Sequence, residues 1–66
     1  MTVDELTAIL LNNQLINIKD TKFNDLYYGI NDKLDDEKHK NILNKEIYYI
    51  EPYSYKNLIV ITIKEE

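Results

Sequence analysis

Residues 58–64 read Leu-Ile-Val-Ile-Thr-Ile-Lys, and this run constrains the fold more than any other feature of the chain. Side chains alternate along a strand, so Ile59, Ile61 and Ile63 share one face while Leu58, Val60 and Thr62 share the other. A strand apolar on both faces belongs inside a sheet and must be covered from two sides. Only 66 residues are available to build that sheet and its cover.

Such a length leaves little margin. A folded chain of this mass exposes ~4,400 Å² against ~11,500 Å² when open, so ~7,000 Å² is buried. With ~60 % of that apolar, at ~25 cal/mol per Å², burial contributes ~105 kcal/mol. Ordering the chain costs ~100 kcal/mol. The two terms nearly cancel, so each apolar residue is expected to serve the core or a partner.

The remaining elements follow from pattern. Thr2 to Asn13 predicts an amphipathic helix: Thr2 and Glu5 fit a capping box, and Val3, Leu6, Ile9 and Leu10 make its apolar stripe. Leu15 to Lys19 alternates as a strand, and Leu26 to Ile30 makes a second. The turn between them falls at Asp20-Thr21-Lys22 or at Asn24-Asp25. In the polar stretch 31–44, Asp35 is placed to cap a short helix beginning at Asp36, with Leu34 folding back on the core. Glu46 to Glu51 is a third strand, 52–57 a turn, and Lys64-Glu65-Glu66 a frayed tail. The order α-β-β-α-β-β predicts one α+β domain over 1–66: a four-stranded, mostly antiparallel sheet with two short helices on one face. Two such helices cannot cover both faces, which leaves one for water, a partner or a second copy.

Composition excludes much chemistry. There is no cysteine, hence no disulfide, thiolate zinc site or thiol nucleophile, and a reducing, cytoplasmic setting is expected. The lone His39 cannot build a histidine cage and is expected on an exposed helix position. Asp32, Asp35, Asp36 and Glu37 do not have the spacing of a calcium loop. No apolar run approaches the ~20 residues of a membrane span. Met-Thr-Val-Asp-Glu lacks the basic-then-apolar order of a signal peptide. Net charge is −4, and all eight basic residues are lysine, which argues against direct nucleic-acid binding. No cofactor is implied. Carving a pocket of ~300–1,000 Å³ from so small a fold is difficult, so an enzyme is not expected.

Six tyrosines stand out: Tyr27, Tyr28, Tyr48, Tyr49, Tyr53 and Tyr55. Tyrosine suits strands, and it also supplies rigid contact area with a polar tip at binding surfaces. The adjacent pairs 27–28 and 48–49 are expected to put one ring on each face. The acids form a solvated surface or a rim for a basic partner. A protein-binding patch is therefore expected at Tyr27, Tyr49, Tyr53 and Tyr55, rimmed by Asp35, Asp36, Glu37 and Glu51.

Ile, Lys, Asn and Tyr number 10, 8, 8 and 6, against no Arg, one Ala and one Gly, a signature of A/T-rich codons. From Thr2-Val3-Asp4-Glu5-Leu6 through Ile42-Leu43-Asn44-Lys45-Glu46-Ile47 to Ile50-Glu51-Pro52 and Leu58-Ile59-Val60-Ile61, the chain resembles small acidic proteins of phages and mobile elements in low-GC Firmicutes. Anti-CRISPR and other anti-defence inhibitors are of that kind. The resemblance implies a non-catalytic inhibitor that occupies a basic surface of a larger host protein or nucleoprotein complex, inside the bacterial cell and away from membranes. The alternative is a small structural homo-oligomer or accessory subunit; a homodimer is compatible with both.

Overall fold

The computed structural model describes residues 1–34, 37 and 39–64, without the Tyr55 side chain. It is an α+β fold: α1 (Val3–Ile9), β1 (Leu15–Lys19), β2 (Asp25–Ile30), α2 (Lys40–Leu43), β3 (Ile47–Tyr53) and β4 (Leu58–Ile63). Single 3-10 turns follow β2 at Asn31–Lys33 and β3 at Ser54–Lys56. The sheet order is β2-β1-β4-β3. Both hairpins are antiparallel, and their inner strands β1 and β4 run parallel to each other in the middle. The accessible surface, 4657 Å², is close to that expected for the chain's mass.

The two faces of β4 separate as its alternation requires. On one side Ile61 and Ile63 join Ile16, Ile18, Val3, Leu6 and Leu43 in the buried core. Leu10, Tyr27, Leu34, Ile42, Ile47 and Ile59 pack around it half-buried; Leu34 reaches the core as expected, but it stands six residues before α2 and not next to its N-cap, which is His39. Both helices contribute to this side, and among the described residues the opposite face carries none.

At the start of α1 the capping box forms as read: the Glu5 amide donates to Thr2 Oγ1 at 3.2 Å, and the Thr2 amide donates to Glu5 Oε1 at 2.8 Å. The helix stops at Ile9, short of Asn13, because Leu10 is already extended (ψ 155°). Seven residues are too few to sustain a helix alone. The end is fixed by Asn31, whose Nδ2 donates to the Thr7 and Leu11 carbonyls at 3.1 and 3.2 Å. Asn31 is itself buried, and its amide donates to the Gln14 carbonyl at 2.7 Å. This one side chain fastens the helix to the end of β2.

Three further expectations change. Pro52 and Tyr53 continue β3, which a proline can do on an edge strand. Helix α2 is a single turn, and the proposed cap Asp35 and start Asp36 lie outside the described residues, as do Glu65 and Glu66 of the tail. His39 is half-buried at the N-cap of α2 instead of exposed, with its ring edge-on to Tyr27 at 5.1 Å.

Candidate functional site

The helix-free face is built from alternate residues of all four strands. Its floor comes from the central strands: Asn17 of β1 and Leu58, Val60 and Thr62 of β4, exposed only 5–7 %. Its walls come from the edges, where side chains are taller: Tyr28 on one side, and Tyr49, Glu51 and Tyr53 on the other. Lys19 and Phe23 stand at one end and Lys56 at the other. Low floor and tall walls leave a trough of about 440 Å³. Tyr28 is 62 % exposed and Tyr49 41 %, while Tyr53 is half-buried.

The Asn17 side chain on the floor is committed to the fold. Asn17 Nδ2 donates to the Tyr27 carbonyl at 3.0 Å and sits 3.5 Å from Asp25 Oδ1. Lys19 Nζ lies 3.9 Å from the same Asp25 oxygen. The residues facing the trough carry both signs of charge, with Glu51 opposed by Lys19 and Lys56.

Three backbone irregularities converge on the Lys19 end. Ile18 pairs with Tyr27 but Lys19 with Asp25, so Leu26 is bulged out of β2. Ile63 pairs with Ile47 but Thr62 with Tyr49, so Tyr48 is bulged out of β3. Between them, the β1–β2 turn holds Phe23 at φ 67°. That is the left-handed position of a three-residue hairpin loop, where glycine is usual. Phe23 is 73 % exposed there. It walls a smaller recess of about 180 Å³ with Thr21, Tyr48, Tyr49 and Thr62.

Asp20 makes this turn possible and settles its place at 20–24. Its Oδ1 accepts from the Lys22 and Asn24 amides at 2.8 and 3.0 Å, and its Oδ2 accepts from Asn24 Nδ2 at 3.0 Å. Hydrogen bonds from the Asn24 side chain and amide, with smaller help from Lys22, hold the Asp20 carboxyl below its ordinary value. Glu5 in the capping box is lowered likewise, chiefly by the Thr2 amide.

The bulge corrects the expected disposition of Tyr48 and Tyr49. An uninterrupted strand would set them on opposite faces; instead their rings lie 5.3 Å apart at 60°. The extra residue also brings both Ile47 and Ile50 to the covered side, where Ile50 pairs with Ile61 at the unshielded edge and stays 41 % exposed.

Of the residues expected to bind a partner, Tyr49, Tyr53 and Glu51 come together on this face. Tyr27 does not, because it pairs with Ile18, whose side chain belongs to the core. Its ring lies across Gly29, where an added Cβ would sit 3.0 Å from the tyrosine oxygen. This close approach lets the hydroxyl donate to the Ile30 carbonyl at 2.7 Å, and burial, followed by Asp32, raises its pKa. Glu37 is exposed in the segment leading to His39, whose ring rests on Tyr27 of the covered side. Asp35, Asp36 and the Tyr55 ring lie outside the described residues. Tyr28, Tyr48 and Phe23 are additions that the sequence reading did not place in the site. For Tyr28 a signal existed: once Ile16 and Ile18 define the core face of β1, pairing Tyr27 with Ile18 forces Tyr28 to the other side.

Elsewhere, a recess of about 700 Å³ beside α2 and the start of β3 is lined by the polar and charged residues Asn41, Asn44, Lys45, Glu46 and Lys64. Among the described residues no group of His, Asp and Glu is arranged to hold a metal, and no helix is long and apolar enough to cross a membrane. No protein-family model, curated protein sequence or solved structure matches the chain.

Proposed function

We propose that this chain is a non-catalytic binding protein that acts by laying its helix-free sheet face against a surface of a larger protein. The observation that carries the reading is the collection of Phe23, Tyr28, Tyr49 and Tyr53 around the trough, with Tyr48 in the adjoining recess, four of the five more than a third exposed. Exposed rings around a buried floor, with Leu58 and Val60 between Asn17 and Thr62, are the chemistry of contact hot spots. The net charge of −4 steers the whole chain towards a basic partner with association that slows as salt is added, while the docking face itself presents Glu51 together with Lys19 and Lys56. Together with the resemblance to small phage and mobile-element proteins, this supports reading the chain as an inhibitor of a host defence effector such as a CRISPR–Cas complex, working in the bacterial cytoplasm.

The test is expression in a low-GC host with active CRISPR interference. The chain is expected to relieve interference and to co-purify with one effector component in fixed ratio. The Tyr49→Ala, Tyr53→Ala double variant, checked for folding by circular dichroism, is expected to lose both. A double variant that retains full co-purification removes the face from the account. A wild-type chain without effect on any defence system removes the inhibitory role.

A further inference from the structure

We propose that the recess between Phe23, Tyr48 and Tyr49 is a binding site for a trimethylammonium group, presented by a methylated lysine of the partner protein. The source of the group rests on the reading of the helix-free face as a docking surface. The chemistry of the recess stands apart from it.

The walls are the first argument. The recess holds about 180 Å³, room for ~6 waters at ~30 Å³ each, and three aromatic rings line it together with Thr21 and Thr62. Tyr48 and Tyr49 stand with centroids 5.3 Å apart and planes at 60°. Phe23 approaches from a different element, the β1–β2 turn. A cation within ~6 Å of a ring centroid is drawn to the negative face of the ring, and grouped rings are the usual receptor for quaternary ammonium.

An uninterrupted backbone would not assemble this group. The bulge at Tyr48 sets two successive rings side by side. The turn braced by Asp20 holds the third at φ 67°. None of the three rings belongs to the buried core. Irregularities of this kind recur beside binding sites, where they aim side chains.

The lining selects the ligand. A primary ammonium or a guanidinium brings several N–H donors, each needing an acceptor once it leaves water. The recess offers hydroxyls and no carboxylate, and Thr21 already has a partner. A trimethylammonium group carries its charge with no donor to satisfy, and its methyls suit apolar walls. The surrounding charges do not oppose a cation. Lys19 Nζ lies 3.9 Å from Asp25, and Lys22 is close enough to Asp20 to help lower its pKa, so both lysines are offset. Exposed Glu51 follows Tyr49 along the same wall, and the chain as a whole carries −4.

NMR titration with choline, and with its neutral isostere in which carbon replaces the nitrogen, tests the site. Choline is expected to shift the ring signals of Phe23, Tyr48 and Tyr49 together and to bind ~3-fold or more tighter than the isostere. Tyr48→Leu and, separately, Phe23→Leu should each weaken choline binding by a similar factor, whereas Tyr48→Phe should retain it. Phe23 and Tyr48 are 73 and 60 % exposed, so these changes should leave the fold intact, which amide spectra check. A short alanine peptide carrying one trimethyllysine should shift the same rings, and its unmethylated counterpart should not. Equal binding of choline and its isostere overturns the proposal, and so do leucine variants that keep full affinity. A recess that takes choline but refuses the trimethyllysine peptide overturns the partner lysine as the source. If neither ligand binds and the Tyr49→Ala, Tyr53→Ala variant still loses its effector, the recess fails and the docking reading stands. If both bind at the rings and that variant keeps its effector, the site stands and the docking reading falls.

Discussion

The two faces of one sheet solve the same problem with different residues. On the covered face, Ile16, Ile18 and Ile61 are wholly shielded by helices and one another, using aliphatic chains with no polar atom to satisfy. On the helix-free face, the floor is almost as dry, but edge-strand tyrosines and a lysine provide the shade. Dryness alone therefore does not identify a core. What separates the faces is the outer layer: rings that shield the floor from within also remain open to a partner from without. The helix side holds the fold together, whereas the tyrosine side is expected to give up a ring without unfolding.

Adjacent positions in β4 give the sharpest comparison and the largest expected effect. Ile61→Ala opens a cavity in the core and should cost ~3–4 kcal/mol. Val60→Ala, one residue away on the trough floor, should cost ~1–2 kcal/mol, because its neighbours are side chains that can settle inward. A small domain has ~3–5 kcal/mol in total, so Ile61→Ala should be largely unfolded at room temperature while Val60→Ala remains cooperative. Urea denaturation measures both. Equal losses would mean that the helix-free face is as tightly packed as the core.

Asn31→Ala comes next. It removes both donors from the carbonyls at the end of α1, each hydrogen bond contributing ~1 kcal/mol. A loss of ~2 kcal/mol is expected, with amide exchange accelerated in α1 before the central strands. Uniform acceleration across the sheet would show that α1 is not separately fastened.

How much of this contrast the sequence carries depends on the element. The β4 strand and its two faces are legible because alternation is local and uninterrupted, and the helix start is legible because Thr2 and Glu5 cap each other three residues apart. The helix end is not, since it depends on Asn31 more than twenty residues away. The bulges at Leu26 and Tyr48 are also hidden: one slipped residue is decided by how edge strands meet their neighbours, and nothing in Leu-Tyr-Tyr-Gly or Ile-Tyr-Tyr-Ile marks it. That hidden slip puts Tyr48 beside Tyr49. Of the candidate site, Tyr49, Glu51 and Tyr53 share one parity and so one face, but that face is the trough and not the core only because of the slip at Tyr48, and the sequence pattern puts Tyr53 in a turn. Phe23 is unreadable, because no preference points an aromatic residue to a left-handed position.

Phe23→Gly is expected to have an effect of opposite sign on stability and binding. A side chain at φ 67° costs ~1–2 kcal/mol, which glycine does not incur. Glycine's greater freedom in the unfolded chain returns part of the difference, so a net gain of ~1 kcal/mol is expected in denaturant melts. Contact through the trough should weaken, since the ring walls one end of it. A variant that gains stability and keeps its contacts would make Phe23 mere strain. One that loses stability would show that the ring shields the floor and belongs with the covered face after all.

Acid should produce the smallest effect, and it divides by face. Asp20 holds the turn that carries Phe23 at one end of the trough, and Glu5 caps the helix on the other side. Both carboxyls have folded pKa values below their ordinary ones, 3.8 for aspartate and 4.5 for glutamate. A lowered folded value means that the unfolded chain takes up the proton first. The stabilisation is complete above the ordinary value and is lost as pH falls from there through the folded value. Titration from pH ~6 to ~2 should therefore destabilise the protein below pH ~4.5, with Glu5 entering first and Asp20 following. Asp20→Asn retains an acceptor oxygen for the Lys22 and Asn24 amides without the charge; it should flatten the acid response of the Phe23 and Asn24 amide signals and leave that of α1 intact. Glu5→Gln should do the converse. If either change flattens both responses, acid unfolding is all-or-none across the molecule, and the trough end cannot open while the helix side remains closed.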